Sequence, residues 1–267
     1  MANLLTGFIE RLLLRRSELS GIRVAATAQL TPHMLRIEFE GANLARFDTR
    51  DDLHVRLALP PEGQPRASWL RIGRDGTATI RDRNVRPVYR KYTIRSVDPA
   101  AGRLAVDFVI HADGGPGSGW AASAKPGDVL GMIGPGGRGV PASDWLLLAG
   151  DETALPAIGR ILEELPARAR GAVFVEVQDA AEEQPLRVPP GMTLQWLHRG
   201  AAAPGTTSLL VDAVSATALP QASGRFVWAA AEDAAIRTLR ARLKSFGLRQ
   251  KEEFLAVAYW KRERPAP

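Results

Sequence analysis

The 267-residue sequence contains no cysteine. That excludes disulfides, thiolate-held zinc and a protein-bound iron–sulfur cluster. Metal-ligand spacing is missing too: His33, His54, His111 and His198 lie far apart, so no intrinsic metal site is expected. Apolar runs such as "WLLLAG" (145–150) are too short to cross a bilayer. The opening "MANLLTGFIERLLLRR" lacks the positive start and small-residue cleavage site of a signal peptide. Leu4, Leu5, Phe8, Ile9, Leu12 and Leu13 recur at helical spacing, which predicts an amphipathic helix packed on the protein rather than on a membrane. The expectation is a cytoplasmic protein without a membrane partner. No block of like charge is present either. The net charge of +6 favours anionic partners, but the bases are dispersed and no aromatic stripe interleaves them, so nucleic acid is not expected.

What is present divides into two rhythms, as the length, about twice that of a usual domain, predicts. Through residues 20–142 run short segments rich in Val, Ile, Leu and aromatics: "IRVAATAQLT" (22–31), "MLRIEFEG" (34–41), "LHVRLALP" (53–60), "KYTIRSV" (91–97) and "RLAVDFVIH" (103–111). Gly, Pro, Asn and Asp punctuate them, which predicts an antiparallel β-barrel, interrupted by a short helix near 118–124. From 143 onward, apolar runs at 145–150, 172–177, 193–198, 225–230 and 254–260 alternate with helical patterns at 153–165, 207–216 and 232–246. Such alternation predicts an α/β domain built on a parallel sheet, whose ligands bind beyond the carboxyl ends of the strands. The expected domains are 1–142, with the N-terminal helix, and 143–267.

Three segments carry candidate chemistry. In "RKYTIR" (90–95), strand alternation puts Arg90, Tyr92 and Ile94 on one face and Lys91, Thr93 and Arg95 on the other. An aromatic ring beside a hydroxyl suits an isoalloxazine, and Arg90 or Arg95 suits a pyrophosphate. A half-exposed strand with solvated bases is the open alternative. "HADGGPGSGWA" (111–121) is a glycine-rich loop entering a helix, with Ser118 placed to cap it and to meet a phosphate. "LAGDETALPAIG" (148–159) is a strand–turn–helix without G-x-G-x-x-G or a Walker lysine. It offers Gly150 at the strand end and Thr153 as an N-cap.

In order and spacing, these segments resemble the siderophore-interacting protein family, flavin-dependent ferric-siderophore reductases related to the ferredoxin–NADP reductase superfamily. The resemblance extends over "LTPHMLRIEFEG" (30–41), "DDLHVRLALP" (51–60), "RKYTIRSVD" (90–98), "MIGPGG" (132–137), "LLAGDETALPAI" (147–158), "VWAAAED" (227–233) and "AYWKR" (258–262). It implies an FAD-binding barrel, an NAD(P)-binding α/β domain, and FAD with NADPH or NADH as cofactors. The implied reaction is an NAD(P)H-dependent oxidoreductase step in which flavin passes electrons to Fe(III) held by an anionic siderophore and Fe(II) is released. No side chain is needed as acid or base.

By the same likeness, Arg90, Tyr92 and Thr93 match a flavin motif, with Tyr92 on the ring and Thr93 near N5. His111, Gly115, Ser118, Trp120 and Ala121 match the segment around the FAD pyrophosphate and adenosine. Gly150, Asp151, Glu152, Thr153 and Pro156 match the dinucleotide turn, and Ala231 with Glu232 the later strand end. Arg56, Arg138 and Lys261 are the candidates to contact the siderophore. Departures from the family pattern are Ile94 for proline, Gly117 for alanine, Arg56 for lysine, and no glycine after the Tyr259–Trp260 pair. Ala230 and Ala231 stand where relatives in the wider superfamily place a cysteine, which leaves room for a ferredoxin as donor. A general flavin or quinone reductase and a non-catalytic flavin or siderophore carrier are the alternatives, and a monomer is the expected state.

Overall fold

The computed structural model describes residues 19–50, 53–111, 115–221 and 224–262. The helix expected near the N-terminus lies outside them. The chain folds as two units, one holding 35–139 and the chain up to Gln29, the other 30–34 and 140 onward.

The first unit is a seven-stranded sheet in the order β6-β3-β9-β1-β2-β8-β7. Its strands are β1 (Ser20–Thr31), β2 (Met34–Gly41), β3 (His54–Leu59), β6 (Val88–Thr93), β7 (Ser96–Asp98), β8 (Arg103–Val109) and β9 (Val129–Gly136). A separate hairpin joins β4 (Leu70–Ile72) to β5 (Ala78–Ile80). The β1/β9, β3/β6, β3/β9 and β7/β8 pairs are antiparallel. Alternation explains the register: Val55, Leu57 and Leu59 of β3 enter a core shared with Ile22, Phe39, Phe108 and Met132, while His54 and Arg56 point to the other face. The antiparallel architecture is the one expected. Closure into a barrel by strand pairing is not found among the described residues, since β6 and β7 remain edges. They are consecutive in the chain, and Ile94 turns the corner between them, wholly buried, its N–H donating to the Leu53 carbonyl at 3.0 Å. The family's proline could not make that bond.

The second unit is a five-stranded parallel sheet in the order β12-β11-β10-β13-β14. Its strands are β10 (Trp145–Asp151), β11 (Arg170–Val177), β12 (Gly191–His198), β13 (Arg225–Glu232) and β14 (Phe254–Trp260). Helix α1 (Pro116–Ala122) belongs to the first unit; α2 (Leu155–Glu164), α3 (Leu209–Ala216) and α4 (Asp233–Ser245) link strands of the second. β10 and β13 read as unbroken apolar runs because they lie inside the sheet and are buried almost end to end. Trp228 alone, 1% exposed, contributes about 2–3 kcal/mol of burial. Among the described residues no helix is long and apolar enough to cross a membrane.

Candidate active site

In the first unit, β6 separates its side chains as the sequence predicts. Tyr92 turns to the core and rests on Phe108, with ring centroids 4.4 Å apart. Burial pushes its phenol up to about 12, so it remains an O–H donor at neutral pH. Arg90 is exposed on the same face, and Thr93 is buried on the other. The register places His54 opposite Thr93 and Arg56 opposite Lys91. One face of the sheet edge therefore carries His54, Arg56, Lys91 and Thr93 together. Burial, then the charges of Lys91 and Arg56, push the His54 imidazole down to about 4.

Helix α1 meets this edge from one side. A methyl group on Gly117 would stand 1.8 Å from the Tyr92 hydroxyl, so only glycine admits both groups as they stand. Gly115 is the N-cap, and Ser118 lies inside the first turn. The capping role expected for Ser118 is thus corrected: its hydroxyl accepts from the His111 N–H at 3.1 Å and is already used. Trp120 and Ala121 belong to the core, with Trp120 between Phe39 and Phe108 and the Arg66 guanidinium 4.9 Å over its ring. The buried Trp120 Nε1 has no hydrogen-bond partner. An orphan donor in this helix, a tyrosine donor and an exposed arginine suit an anionic, hydrogen-bonding flavin cofactor. Arg95 does not join them. It lies 3.9 Å from Asp107, a buried carboxylate that also takes both arms of Arg36 at 2.7 and 2.8 Å.

In the second unit the carboxyl ends of β10, β13 and β14 meet on Asp151. Its Oδ1 accepts the Thr153 N–H and hydroxyl; its Oδ2 accepts Glu232 N–H at 3.1 Å and Trp260 Nε1–H at 2.8 Å. Burial still raises its pKa against these four donors. Thr153 is therefore not the cap of α2, whose N-cap is Ala154. Gly150 packs tightly rather than opening a cradle: a methyl there would meet Ala154 Cβ at 2.4 Å and the Ala230 carbonyl at 2.8 Å. Ala231 is buried, and Glu232 caps α4 through Ala234 N–H and accepts Arg262 N–H at 3.2 Å. Burial raises Glu152 to about 6, Asp151 adds to the rise, and Arg199 opposes it.

Arg199 is the residue that sequence reasoning missed. It follows β12, only 5% of its side chain is exposed, it ion-pairs with Glu152, and its Nε is buried without a hydrogen-bond partner. A buried, partly unsatisfied guanidinium at the strand ends fits a dinucleotide phosphate better than the self-satisfied turn at 151–154 does. Its position one residue past a strand was the available signal.

Comparison with known proteins accounts for both units. Residues 23–139 match the model of the siderophore-interacting FAD-binding domain, and residues 143–263 that of the siderophore-interacting protein. The chain belongs to the siderophore-interacting protein family. Ferric vibriobactin reductase ViuB of Vibrio cholerae is 32% identical over 239 residues, covering 87% of this chain and 86% of that protein. The NADPH-dependent ferric-chelate reductase of Escherichia coli is 32% identical over 253 residues, covering 92% and 93%. The crystal structure of a siderophore utilization protein from T. fusca has 41% identity and a TM-score of 0.80, over 93% of this chain and 94% of that one.

Of the siderophore contacts that family membership suggests, Arg56 and the exposed Arg138 belong to the first unit and the exposed Lys261 to the second. Lys91 stands opposite Arg56 in the first unit.

Proposed function

We propose that the protein is an FAD-dependent ferric-siderophore reductase that passes electrons from NAD(P)H through FAD to siderophore-bound Fe(III) and releases Fe(II). The observation that carries this reading is the Arg56–Lys91 pair on the face that also carries Thr93, in the strand that holds Tyr92. Two bases facing each other in the strand of a flavin motif suit an anionic substrate. When bound, FAD supplies the exchange between two-electron and one-electron chemistry. Residues 1–142 hold it, with Tyr92 packed on the ring, Thr93 near its N5, and Arg90 and the His111–Ala121 segment at its phosphates. Residues 143–267 hold the dinucleotide at the strand ends, where Arg199 takes a phosphate once Glu152 yields it. Arg56, Lys91 and Arg138 of the first unit orient the chelate. A ferredoxin is the second candidate donor, because the dinucleotide turn spends its own donors on Asp151. The working state is a cytoplasmic monomer.

The test is the visible spectrum of the purified protein, followed by anaerobic titration with NADPH and with NADH. Flavin bands that bleach with either support the reading and name the donor. A protein that cannot be loaded with FAD overturns it.

A further inference from the structure

His54 stands where three elements meet. β3 carries it, with Arg56 two residues on, facing away from Val55 and Leu57. β6 sets Thr93 opposite His54 and Lys91 opposite Arg56. The end of β9 and the turn after it cover the imidazole: Gly136 pairs with His54, and Gly137 follows at φ 112°. A methyl on Gly137 would stand 2.6 Å from His54 Nδ1, so this roof closes only over glycine. Among the described residues, the charges acting on the ring are Lys91 from β6 and Arg56 from β3, and the roof from β9 contributes none. Asp51 and Asp52 lie outside the described residues.

We propose that His54 is a conditional third cation of the substrate site, taking up a proton when an anionic ferric chelate seats against Arg56 and Lys91 and losing it when the product leaves. The inference rests on the ferric-siderophore reading and adds a residue and a proton to it. With the site empty, two neighbouring cations and partial burial keep the imidazole neutral, near pKa 4. An anionic chelate within about 4–6 Å reverses that field and favours the imidazolium. The proton comes from solvent, and no bond to His54 is made or broken by the iron. When one electron from the reduced flavin reaches the iron, Fe(III) becomes Fe(II) and the chelate gains one negative charge, which the imidazolium formed on binding helps to stabilise. The residue thus helps to favour the anionic substrate without placing a third permanent charge beside Arg56 and Lys91.

The test uses the FAD-loaded full chain and a gallium(III) tris-catecholate, which has the charge of the ferric chelate but is not reduced by the flavin. Calorimetric titration at pH 7 in two buffers of different ionisation enthalpy counts the protons taken up. The wild type is expected to take up roughly half to one proton per chelate at pH 7, and its affinity to weaken by about three- to tenfold per pH unit as pH rises through neutrality, flattening at higher pH. His54→Asn is expected to lose the uptake and flatten the pH dependence. If that variant does not fold, nitrogen NMR of the wild-type imidazole answers the same question: neutral in the free protein at pH 6.5, doubly protonated with the gallium chelate. No uptake in the wild type, or uptake that survives His54→Asn, overturns the proposal. A chelate that does not bind at all brings down the ferric-siderophore reading and this inference together. A chelate that binds, with iron reduced in parallel assays and the imidazole still neutral, brings down this inference alone.

Discussion

Replacing Asp151 with asparagine isolates the group that ties three strand ends together. The carboxylate gives one oxygen to the Thr153 N–H and hydroxyl and the other to Glu232 N–H at 3.1 Å and Trp260 Nε1–H at 2.8 Å. An amide keeps one oxygen. With its NH2 toward Glu232 N–H and Trp260 Nε1–H, both lose their acceptor at about 1–3 kcal/mol each; with its NH2 toward Thr153, one N–H does, and the hydroxyl can turn to accept from the amide. Part of that is offset because a charge no longer has to be buried, consistent with the raised pKa of Asp151. The expected net loss is about 1–3 kcal/mol, or roughly 3–9 °C in Tm for a protein of this size. Thermal denaturation followed by circular dichroism at pH 7.5 measures it. Trp260→Phe removes one of the two donors to Asp151 Oδ2 and should cost about 1–2 kcal/mol alone. An Asp151→Asn protein within about 0.5 kcal/mol of wild type would refute the tie.

Two titrating groups should shape the pH dependence of stability in opposite senses. Glu152, raised from 4.5 to about 6, binds a proton in the folded state that the unfolded chain has lost. Stability should therefore fall by roughly 2 kcal/mol as pH rises between those values, and Glu152→Gln should abolish that slope in urea denaturation. His54, lowered from 6.5 to about 4, gives stability that is complete above 6.5 and is lost, by roughly 3 kcal/mol, as pH falls toward 4. Asp107→Asn should destabilise the protein by about 2–4 kcal/mol in the same assay, since it leaves Arg36 and Arg95 around a buried site without its charge. Arg71, Arg74, Arg81, Arg83, Arg86, Arg90 and Lys91 are exposed with no ion pair among the described residues; against Asp75 and Asp82 they leave 7 − 2 = +5 in the 71–91 segment. Reversing Arg81, Arg83 and Arg86 to glutamate should lower kcat/KM for an anionic chelate about tenfold at low salt with kcat unchanged, and the difference should vanish near 0.5 M salt.

The two rhythms of the sequence were legible because burial imposes them. The half-covered antiparallel strands alternate, as Val55 and Leu57 do against His54 and Arg56, whereas β10 and β13 read as continuous apolar runs. Arg90, Tyr92 and Thr93 could be read as a group because they are neighbours in one strand. Pairings across the fold could not. Lys91 meets Arg56, and Thr93 meets His54, only through the register of β3 and β6, which no local pattern prints. The misassigned roles have the same origin. Thr153 and Ser118 look like caps in sequence, but Asp151 and the His111 backbone, set by tertiary packing, take their hydrogen bonds first. Asp151 collects its other donors from 81 and 109 residues away, and the Arg199–Glu152 pair joins the ends of two strands.

The central claim is that electrons cross this protein from a nicotinamide to siderophore-bound iron. Its most direct test is an anaerobic single turnover: FAD-loaded protein, one equivalent of NADPH or NADH, a ferric tris-catecholate and a chromogenic trap for Fe(II), with flavin absorbance and trapped iron followed together. The account predicts flavin bands that bleach and then recover as about two Fe(II) appear per dinucleotide oxidised, one electron to each iron. Flavin that bleaches and stays bleached in the presence of the chelate, with no Fe(II) trapped, would contradict it.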